Sequence, residues 1–193
     1  MTVIEVSAVP AVARRTCWIP SPAVEGTGPE QPIDHLPGLD DIEQRCWQAF
    51  LESSAQLLET LERQLVKAHE LTLFDFLVMD LLAKSRSGSA RMGDLAQALA
   101  VGPSRVTQQV SRMEAEGLVR RSRSVKDGRG VIATITPEGR TRLRPATRTY
   151  AQLIRKLYLD QMSRREMIAM SDSCRRINDP LKNIENPEKF KLL

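Results

Sequence analysis

The segment at residues 103–116 combines apolar and hydrogen-bonding side chains at helical spacing. Val106, Val110 and Met113 fall at i, i+4 and i+7, so they share one face of a helix and must be packed. Arginine and glutamine read base edges in the major groove of DNA, and serine and threonine suit phosphates. The pattern therefore predicts a DNA-reading helix. Its predicted contact residues are Ser104, Arg105, Thr107, Gln108, Gln109, Ser111 and Arg112.

A second basic segment, residues 120–129, follows this helix and has a hairpin turn signal at Asp127-Gly128. So many like charges do not stabilise an exposed ribbon, but they favour binding to phosphates. We expect Asp127 to fix the turn and to orient one of the arginines of this ribbon. The alternative to DNA binding for Arg120 or Arg121 is a structural ion pair with Glu114 or Glu116. The predicted DNA contacts of this ribbon are Arg121, Arg123, Lys126 and Arg129, the last of them in a minor groove or on a phosphate.

The charge distribution agrees with this interpretation. The whole chain has a net charge of +4. Residues 91–148 hold twelve basic and five acidic residues, a net +7, which leaves −3 for the rest of the chain. A concentrated excess of this kind is typical of a surface that binds a polyanion, although an ordinary solvated surface also explains it.

Helical periods and capping residues predict the elements around these two segments. A long amphipathic helix covers residues 40–69, and a nearly all-apolar helix begins at Thr72 with Asp75 as its capping-box acid. A short helix at residues 92–99 precedes the DNA-reading helix, which begins at Pro103 and stops at Gly117.

The remaining elements are two strands and two helices. Strands beginning at residue 118 and covering residues 131–136 form the predicted hairpin. A helix begins at Thr136-Pro137. Pro145 either bends this helix or lies close to its first turns. The last helix begins at Ser163 with a capping box and has a narrow apolar seam up to residue 181. Residues 1–37 are rich in proline, which indicates an extended arm or a partly ordered tail, although a disordered leader without function is the commoner case.

Composition excludes several classes of protein. No apolar run approaches the roughly 20 residues that a membrane helix needs, and the N-terminus lacks the order of a secretory signal. We therefore expect a cytoplasmic protein without membrane contact. Cys17, Cys46 and Cys174 are widely spaced and the chain has two histidines, so neither a metal site nor a disulfide framework is expected. No catalytic pattern and no cofactor-binding loop is evident.

Several motifs together resemble the MarR family of bacterial regulators. They are LTLFDFLVMDLL and MGDLAQALAVGPSRVTQQVSRMEAEGLVRRSRSVKDGRGVIATITPEGR, and the resemblance covers roughly residues 46–177. It implies a mainly α fold: a winged helix-turn-helix module with a small β-hairpin wing, flanked by N- and C-terminal dimerisation helices. Gly102 departs from the family, because a serine cap is common at that position.

The resemblance also implies a function, that of a repressor which binds a palindromic double-stranded DNA site as a homodimer and is released by a small-molecule effector. The expected regions are a 1–37 extension, a dimerisation region at 38–70 and 137–182, a DNA-binding region at 71–136 and a 183–193 tail. A ligand crevice is expected near the long first helix, although each of its residues also suits a core. Its expected lining is Trp47, Phe50, Phe76 and Met79.

Other classes of function remain open at this point. Cys46 lies near the start of the first long helix, roughly where the hydroperoxide-sensing branch of the family has its reactive cysteine. A redox-sensing regulator is therefore the main alternative, although a small cysteine on an apolar face is the commoner case. An enzyme is disfavoured because His35 and His69 lie far from any nucleophile pattern. A helical interaction protein is disfavoured by the intact basic face of the DNA-reading helix.

Overall fold

The computed structural model describes residues 36–123 and 130–184 of the chain, with side chains up to residue 181. The chain divides into two compact units, Met1–Asp40 and Asp41–Leu193. In the described part of the first unit, the amide of Leu39 donates to the carbonyl of Leu36 at 3.3 Å and closes a turn. All helices and strands described below belong to the second unit.

The second unit contains six α-helices and three strands within the described residues. Their order along the chain is α1 Asp41–His69, α2 Leu73–Lys84, β1 Ser89–Arg91, α3 Met92–Ala98, α4 Pro103–Ala115, β2 Val119–Arg123, β3 Val131–Ile135, α5 Pro137–Leu157 and α6 Arg164–Ile184. A short 3-10 helix, Leu159–Gln161, connects α5 and α6. The mainly α fold predicted from the sequence is confirmed.

The core lies around α2, which is apolar nearly all round as predicted. Phe76 is 2% exposed, and Val78, Met79 and Leu82 are fully buried. Side chains from α1, α3, α4, the sheet and α5 complete the same core. The capping box at the start of α2 is also confirmed, because Thr72 Oγ1 accepts the amide of Asp75 at 3.0 Å.

The helix-turn-helix consists of α3 and α4 with a tight connection between them. The amide of Val101 donates to the carbonyl of Ala96 at 3.0 Å, which folds the chain back sharply. Ala100 occupies the left-handed region with φ of 51°, a conformation that disfavours a residue with a Cβ atom. Gly102 caps α4 without a side-chain hydrogen bond and Pro103 occupies its first turn, as predicted.

The wing contains one strand more than the sequence predicted. β3 pairs with β2 in antiparallel register, with Val119 opposite Ile135. On its other edge β3 pairs with β1, with Ser89 opposite Thr134. Residues 89–91, for which the sequence predicted no strand, therefore form one, and the sheet order is β1-β3-β2.

The start of α5 is packed against the corner between α4 and β2. Thr136 caps the helix as predicted, with Oγ1 accepting the amide of Gly139 at 2.9 Å. The amide of Thr136 also donates to the carbonyl of Leu118 at 3.1 Å. A Cβ atom on Gly139 would lie 2.2 Å from that carbonyl oxygen, so only glycine allows this approach. Pro145 lies within the continuous helix α5.

α6 differs from the other long helices because none of its described side chains is buried. Ser163 and Glu166 form the predicted capping box, with Ser163 Oγ donating to Glu166 Oε2 at 2.7 Å. These hydrogen bonds lower the pKa of Glu166, the side-chain bond contributing most. Met170, Ile177 and Leu181 of the predicted seam are between 42% and 58% exposed. The predicted apolar seam therefore lacks a partner within the described part of one subunit.

Substituting Gly139→Ala tests the close approach of α5 to the α4–β2 corner. We expect a loss of about 1–3 kcal/mol in the free energy of unfolding, because a backbone oxygen cannot move aside as a side chain can. Urea denaturation gives the value. Gly93→Ala is the matched control, since nothing lies within 4 Å of its added Cβ atom. The control should be neutral or stabilising by up to about 1 kcal/mol, and equal losses in both variants would contradict the account.

Candidate nucleic-acid interface

The candidate interface is built on α4, whose two faces differ completely in polarity. Val106, Val110 and Met113 are all 0% exposed and hold the helix against the core, as predicted. Ser104, Arg105, Thr107 and Gln108 are all exposed on the rest of its first two turns. These four side chains can all donate hydrogen bonds, and no acidic residue occurs in the first turn of α4.

The two hydroxyl groups beside this face bond to their own helix. Thr107 Oγ1 donates to the carbonyl of Pro103 at 2.9 Å, and Ser111 Oγ donates to the carbonyl of Thr107 at 2.8 Å. A hydroxyl oxygen that donates in this way keeps its lone pairs as acceptors. Thr107 is exposed, whereas Ser111 is partly buried and also accepts a hydrogen bond from Arg121 Nη1 at 2.7 Å.

Arg105 is positioned by an aromatic ring that the sequence analysis did not single out. Its guanidinium carbon lies 5.3 Å from the centre of the Phe74 ring, in the first turn of α2. Such a cation–π contact at an exposed site contributes about 0.5–1 kcal/mol. Within the described residues Arg105 has no ion pair. Phe74 therefore orients the Arg105 side chain without neutralising its charge.

Gln109 and Arg112 have a partner that changes the predicted site. The Asp75 side chain, only 1% exposed, accepts hydrogen bonds from Gln109 Nε2 through Oδ1 and from Arg112 Nη2 through Oδ2, the latter at 2.5 Å. The bond to Asp75 is the main reason why the pKa of Arg112 is raised. The sequence pattern placed both residues on the groove-facing surface and gave Asp75 only the role of a helix cap. In the structure both side chains bind within their own subunit, and Arg112 stays 46% exposed.

Arg121 follows the structural alternative that the sequence left open. Its Nε atom lies 2.7 Å from Glu114 Oε2, and its backbone amide donates to Glu114 Oε1 at 2.7 Å. These bonds, the backbone one first, lower the pKa of Glu114. The pair ties β2 to the last turn of α4, so Arg121 is not a free cation of the wing.

The rest of the predicted wing surface is only partly described. Arg120, Ser122 and Arg123 are exposed on β2. Lys126, Arg129 and the expected turn at Asp127 lie outside the described residues, as do the predicted arm up to residue 35 and the tail from residue 185. Arg123 is therefore the only predicted wing cation that the described residues show exposed.

The structure does not bring the four predicted pocket residues together. Trp47 and Phe50 stack on each other at 5.8 Å between ring centres, and they are 45% and 55% exposed on α1. Phe76 and Met79 are instead packed in the core, where Phe76 contacts the Tyr150 ring at 4.4 Å. Phe76 and Met79 therefore fill space that the prediction assigned to a ligand, because the face of α2 that carries them is buried in the core.

Three further features of the described residues bear on the other classes of function. No group of three or more histidine, cysteine, aspartate and glutamate side chains is arranged to hold a metal ion. None of the described helices has the length and apolar character needed to cross a membrane. Cys46, the centre of the redox alternative, is exposed on α1 as a free cysteine.

Taken with the sheet and the helix-turn-helix, this geometry defines a winged-helix protein, and comparison with known proteins identifies its family. The family model described as MarR family matches residues 71–131. The crystal structure of AbsC, a MarR family transcriptional regulator from Streptomyces coelicolor, is similar with a TM-score of 0.73. It is 30% identical, and the match covers 75% of this chain and 97% of AbsC.

Two further relatives are similar at a slightly lower identity. Sco3205, a MarR family transcriptional regulator from Streptomyces coelicolor solved in complex with DNA, is 27% identical with a TM-score of 0.72. The match covers 74% of this chain and 93% of Sco3205. The HTH-type transcriptional repressor MdtR of Bacillus subtilis is 28% identical over 101 residues, which are 52% of this chain but only 61% of MdtR.

The chain belongs to the MarR family of transcriptional regulators. The resemblance seen in the sequence is thereby confirmed, together with its winged-helix fold. These relatives are regulators of transcription rather than enzymes, and their names do not favour the redox alternative based on Cys46.

Replacing Glu114 with alanine tests the tie between α4 and β2. We expect severalfold faster hydrogen exchange at the Arg121 amide, because this amide loses its acceptor, with little change at Ala133 on β3. Since the folded pKa of Glu114 lies below its ordinary value of 4.5, the tie is complete above that value and is lost only as the pH falls through the folded pKa. Glu116→Ala is the control, and an unchanged Arg121 amide in Glu114→Ala would refute the tie.

Proposed function

We propose that this protein is a sequence-specific repressor that acts in the cytoplasm and binds double-stranded DNA as a homodimer on a palindromic site. One observation carries the proposal: the exposed polar side of α4 has no acid in its first turn, while its opposite side is locked into the core. A helix held in this way presents donors of fixed position to a groove about 12 Å wide.

Within α4, we assign base contacts and phosphate contacts to different side chains, according to the partners that each side chain has in the structure. Arg105 and Gln108 are exposed, and they are the side chains that pair with guanine and adenine edges. Ser104 and Thr107 lie near the N-terminal end of the helix, where hydroxyl and amide groups suit phosphates. Two relatives support the proposal: Sco3205 was solved with DNA, and MdtR is named a transcriptional repressor.

The wing is proposed to add phosphate contacts beside the groove. Arg120 and Arg123 are exposed on β2 and extend the basic surface beyond α4. Lys126 and Arg129 are assigned to the same role from the sequence, with Arg129 beside the turn of the hairpin. Each cation that neutralises a phosphate releases counterions, so binding should weaken steeply with salt.

The homodimer is proposed on the apolar surface that one subunit leaves exposed. Leu51 and Leu58 on α1 and Ile168, Ile177 and Leu181 on α6 are each between 47% and 61% exposed. Exposed apolar residues in such number on two long helices are typical of a surface that another subunit covers. The regions proposed from the sequence follow, with dimerisation by residues 38–70 and 137–182 and DNA binding by residues 71–136.

Control by a small-molecule effector is also proposed, on the basis of the family resemblance. Trp47 and Phe50 offer an exposed, stacked aromatic surface on α1, close in sequence to the proposed dimer contacts. Phe76 and Met79 are left out of this proposal because both are core residues. Quenching of tryptophan fluorescence by a ligand that also releases DNA would support it if Trp18→Phe keeps the quenching and Trp47→Phe loses it.

The preferred DNA sequence is found by selecting bound duplexes from a random pool with the full-length protein. Gln108→Ala should then lower the affinity for the selected site by about 1–3 kcal/mol, and the affinity for random duplexes by less, because a lost base contact affects only the correct sequence. Gln152→Ala, an exposed glutamine on α5, is the control and should change neither. Equal losses on both duplexes would restrict Gln108 to phosphate contacts.

Dimerisation is tested by placing a charge in the exposed apolar seam of α6. Ile177→Asp should shift the protein from dimer to monomer in sedimentation at micromolar concentration, because it would bury an unpaired carboxylate between subunits. The matched control is Val131→Asp, which charges an exposed apolar residue on β3. A dimer that survives Ile177→Asp unchanged, or a monomeric wild-type protein, would contradict the proposed assembly.

A further inference from the structure

Asp75 is bonded more extensively than a helix cap requires. Its Oδ2 atom accepts the amide of Thr72 at 3.0 Å, Thr72 Oγ1 at 2.6 Å and Arg112 Nη2 at 2.5 Å, while Oδ1 accepts Gln109 Nε2. The cap itself uses only the bonds between Thr72 and Asp75. The remaining two bonds cross from α2 to α4, so one buried carboxylate joins the start of α2 to the candidate DNA-reading helix.

These bonds decide where two of the polar side chains on α4 point. Gln109 and Arg112 follow Arg105 at helical spacing on α4, and the sequence alone assigned all three to the DNA. Arg105 is directed by an aromatic ring and keeps its charge, whereas the other two bind a carboxylate that is 1% exposed. Turning them toward DNA would leave that buried carboxylate with its bonds to Thr72 but without a cation, which is unfavourable.

The surroundings of Arg112 also reduce its attraction for phosphate. Glu116 Oε1 lies 3.6 Å from Arg112 Nη1, in addition to the contact with Asp75. Glu62 on α1 adds a further negative charge, fixed where its Oε2 accepts the amide of Leu73 at 2.5 Å. Arg112 is therefore a cation on the recognition helix whose charge is balanced within its own subunit.

We infer that Asp75 is a positioning residue that sets DNA selectivity by holding Arg112 and Gln109 away from the DNA. Base reading then depends on Arg105 and Gln108. Arg112, a cation that would strengthen binding to DNA of unrelated sequence, is kept from contacting the phosphates. This inference rests on the proposed function, since it concerns how the same surface distinguishes DNA sequences.

The first test is Asp75→Asn in the full-length protein, measured on the selected site and on a random duplex over a range of salt. Loss of the charge releases Arg112, so affinity for the random duplex should rise roughly tenfold. Affinity for the selected site should rise less, because its base contacts already fix the position of α4, so selectivity should fall. The slope of log affinity against log salt should steepen by about one per freed cation, about two for a dimer. An unchanged slope and selectivity would overturn the inference.

Two control variants separate positioning from simple stability. Thr72→Ala removes the hydroxyl of the cap but leaves the bonds from Asp75 to α4, so it should lower the unfolding midpoint without changing the salt slope or the selectivity. Arg112→Ala combined with Asp75→Asn should return binding to random DNA to the wild-type level, because no cation is released. A loss of selectivity in Thr72→Ala equal to that in Asp75→Asn would reduce Asp75 to a structural role.

The closing experiment does not depend on the folding of Asp75→Asn. Selection from the random pool is repeated with Arg112→Ala and with Arg105→Ala. We expect Arg112→Ala to select the same consensus as the wild-type protein, and Arg105→Ala to relax it at one position per half-site. A consensus altered by Arg112→Ala would overturn the inference alone, whereas a wild-type protein that selects no sequence would overturn the proposed function and the inference with it.

Discussion

Burial of three side chains on α4 is the constraint from which the rest of the candidate site follows. Val106, Val110 and Met113 are fully enclosed in the core around α2, and together they remove both the rotation and the sliding of α4. Because the spacing of the three is helical, the direction of every other side chain on α4 is then determined. The polar face is exposed as a consequence of this packing, and no separate element is needed to present it.

The charges of that face are set by acids on both sides of α4. Asp75 binds Arg112 and Gln109 on the α2 side, while Glu114 binds Arg121 on the β2 side. The excess of positive charge counted between residues 91 and 148 therefore overstates what α4 and β2 offer to a polyanion. The free cations are fewer and lie at defined places, and such an arrangement favours selective over general binding to DNA.

The fold was predictable from the sequence where local signals are strong. Helix ends are determined by signals that act within a few residues, without reference to the rest of the molecule. Examples are the capping boxes at Thr72 and Ser163, the proline at the start of α4 and the glycine after it. β1 was not predictable in this way. It has three residues, and it becomes a strand only because β3 offers an edge for pairing.

The site was less predictable, because its partners are distant in sequence. Asp75 and Arg112 are 37 positions apart, and the local pattern already gave Asp75 a sufficient role as a cap. The contact of Arg105 with Phe74 is equally non-local. Glu114 and Arg121 are only seven positions apart, and here the sequence did indicate the pair as an alternative. Sequence patterns identified which α4 side chains face outward, but tertiary contacts determine which of them are free.

The same distinction between local pattern and tertiary contact explains why some aromatic side chains are buried and others are exposed. Phe76 lies on the buried face of α2, so its ring completes the core, whereas Trp47 and Phe50 lie on the first half of α1, away from that core. The buried part of the α1 stripe is confined to Leu61 and Leu65 near its end. One amphipathic helix therefore changes its role along its length, because its C-terminal half completes the core while its N-terminal half keeps Trp47 and Phe50 exposed.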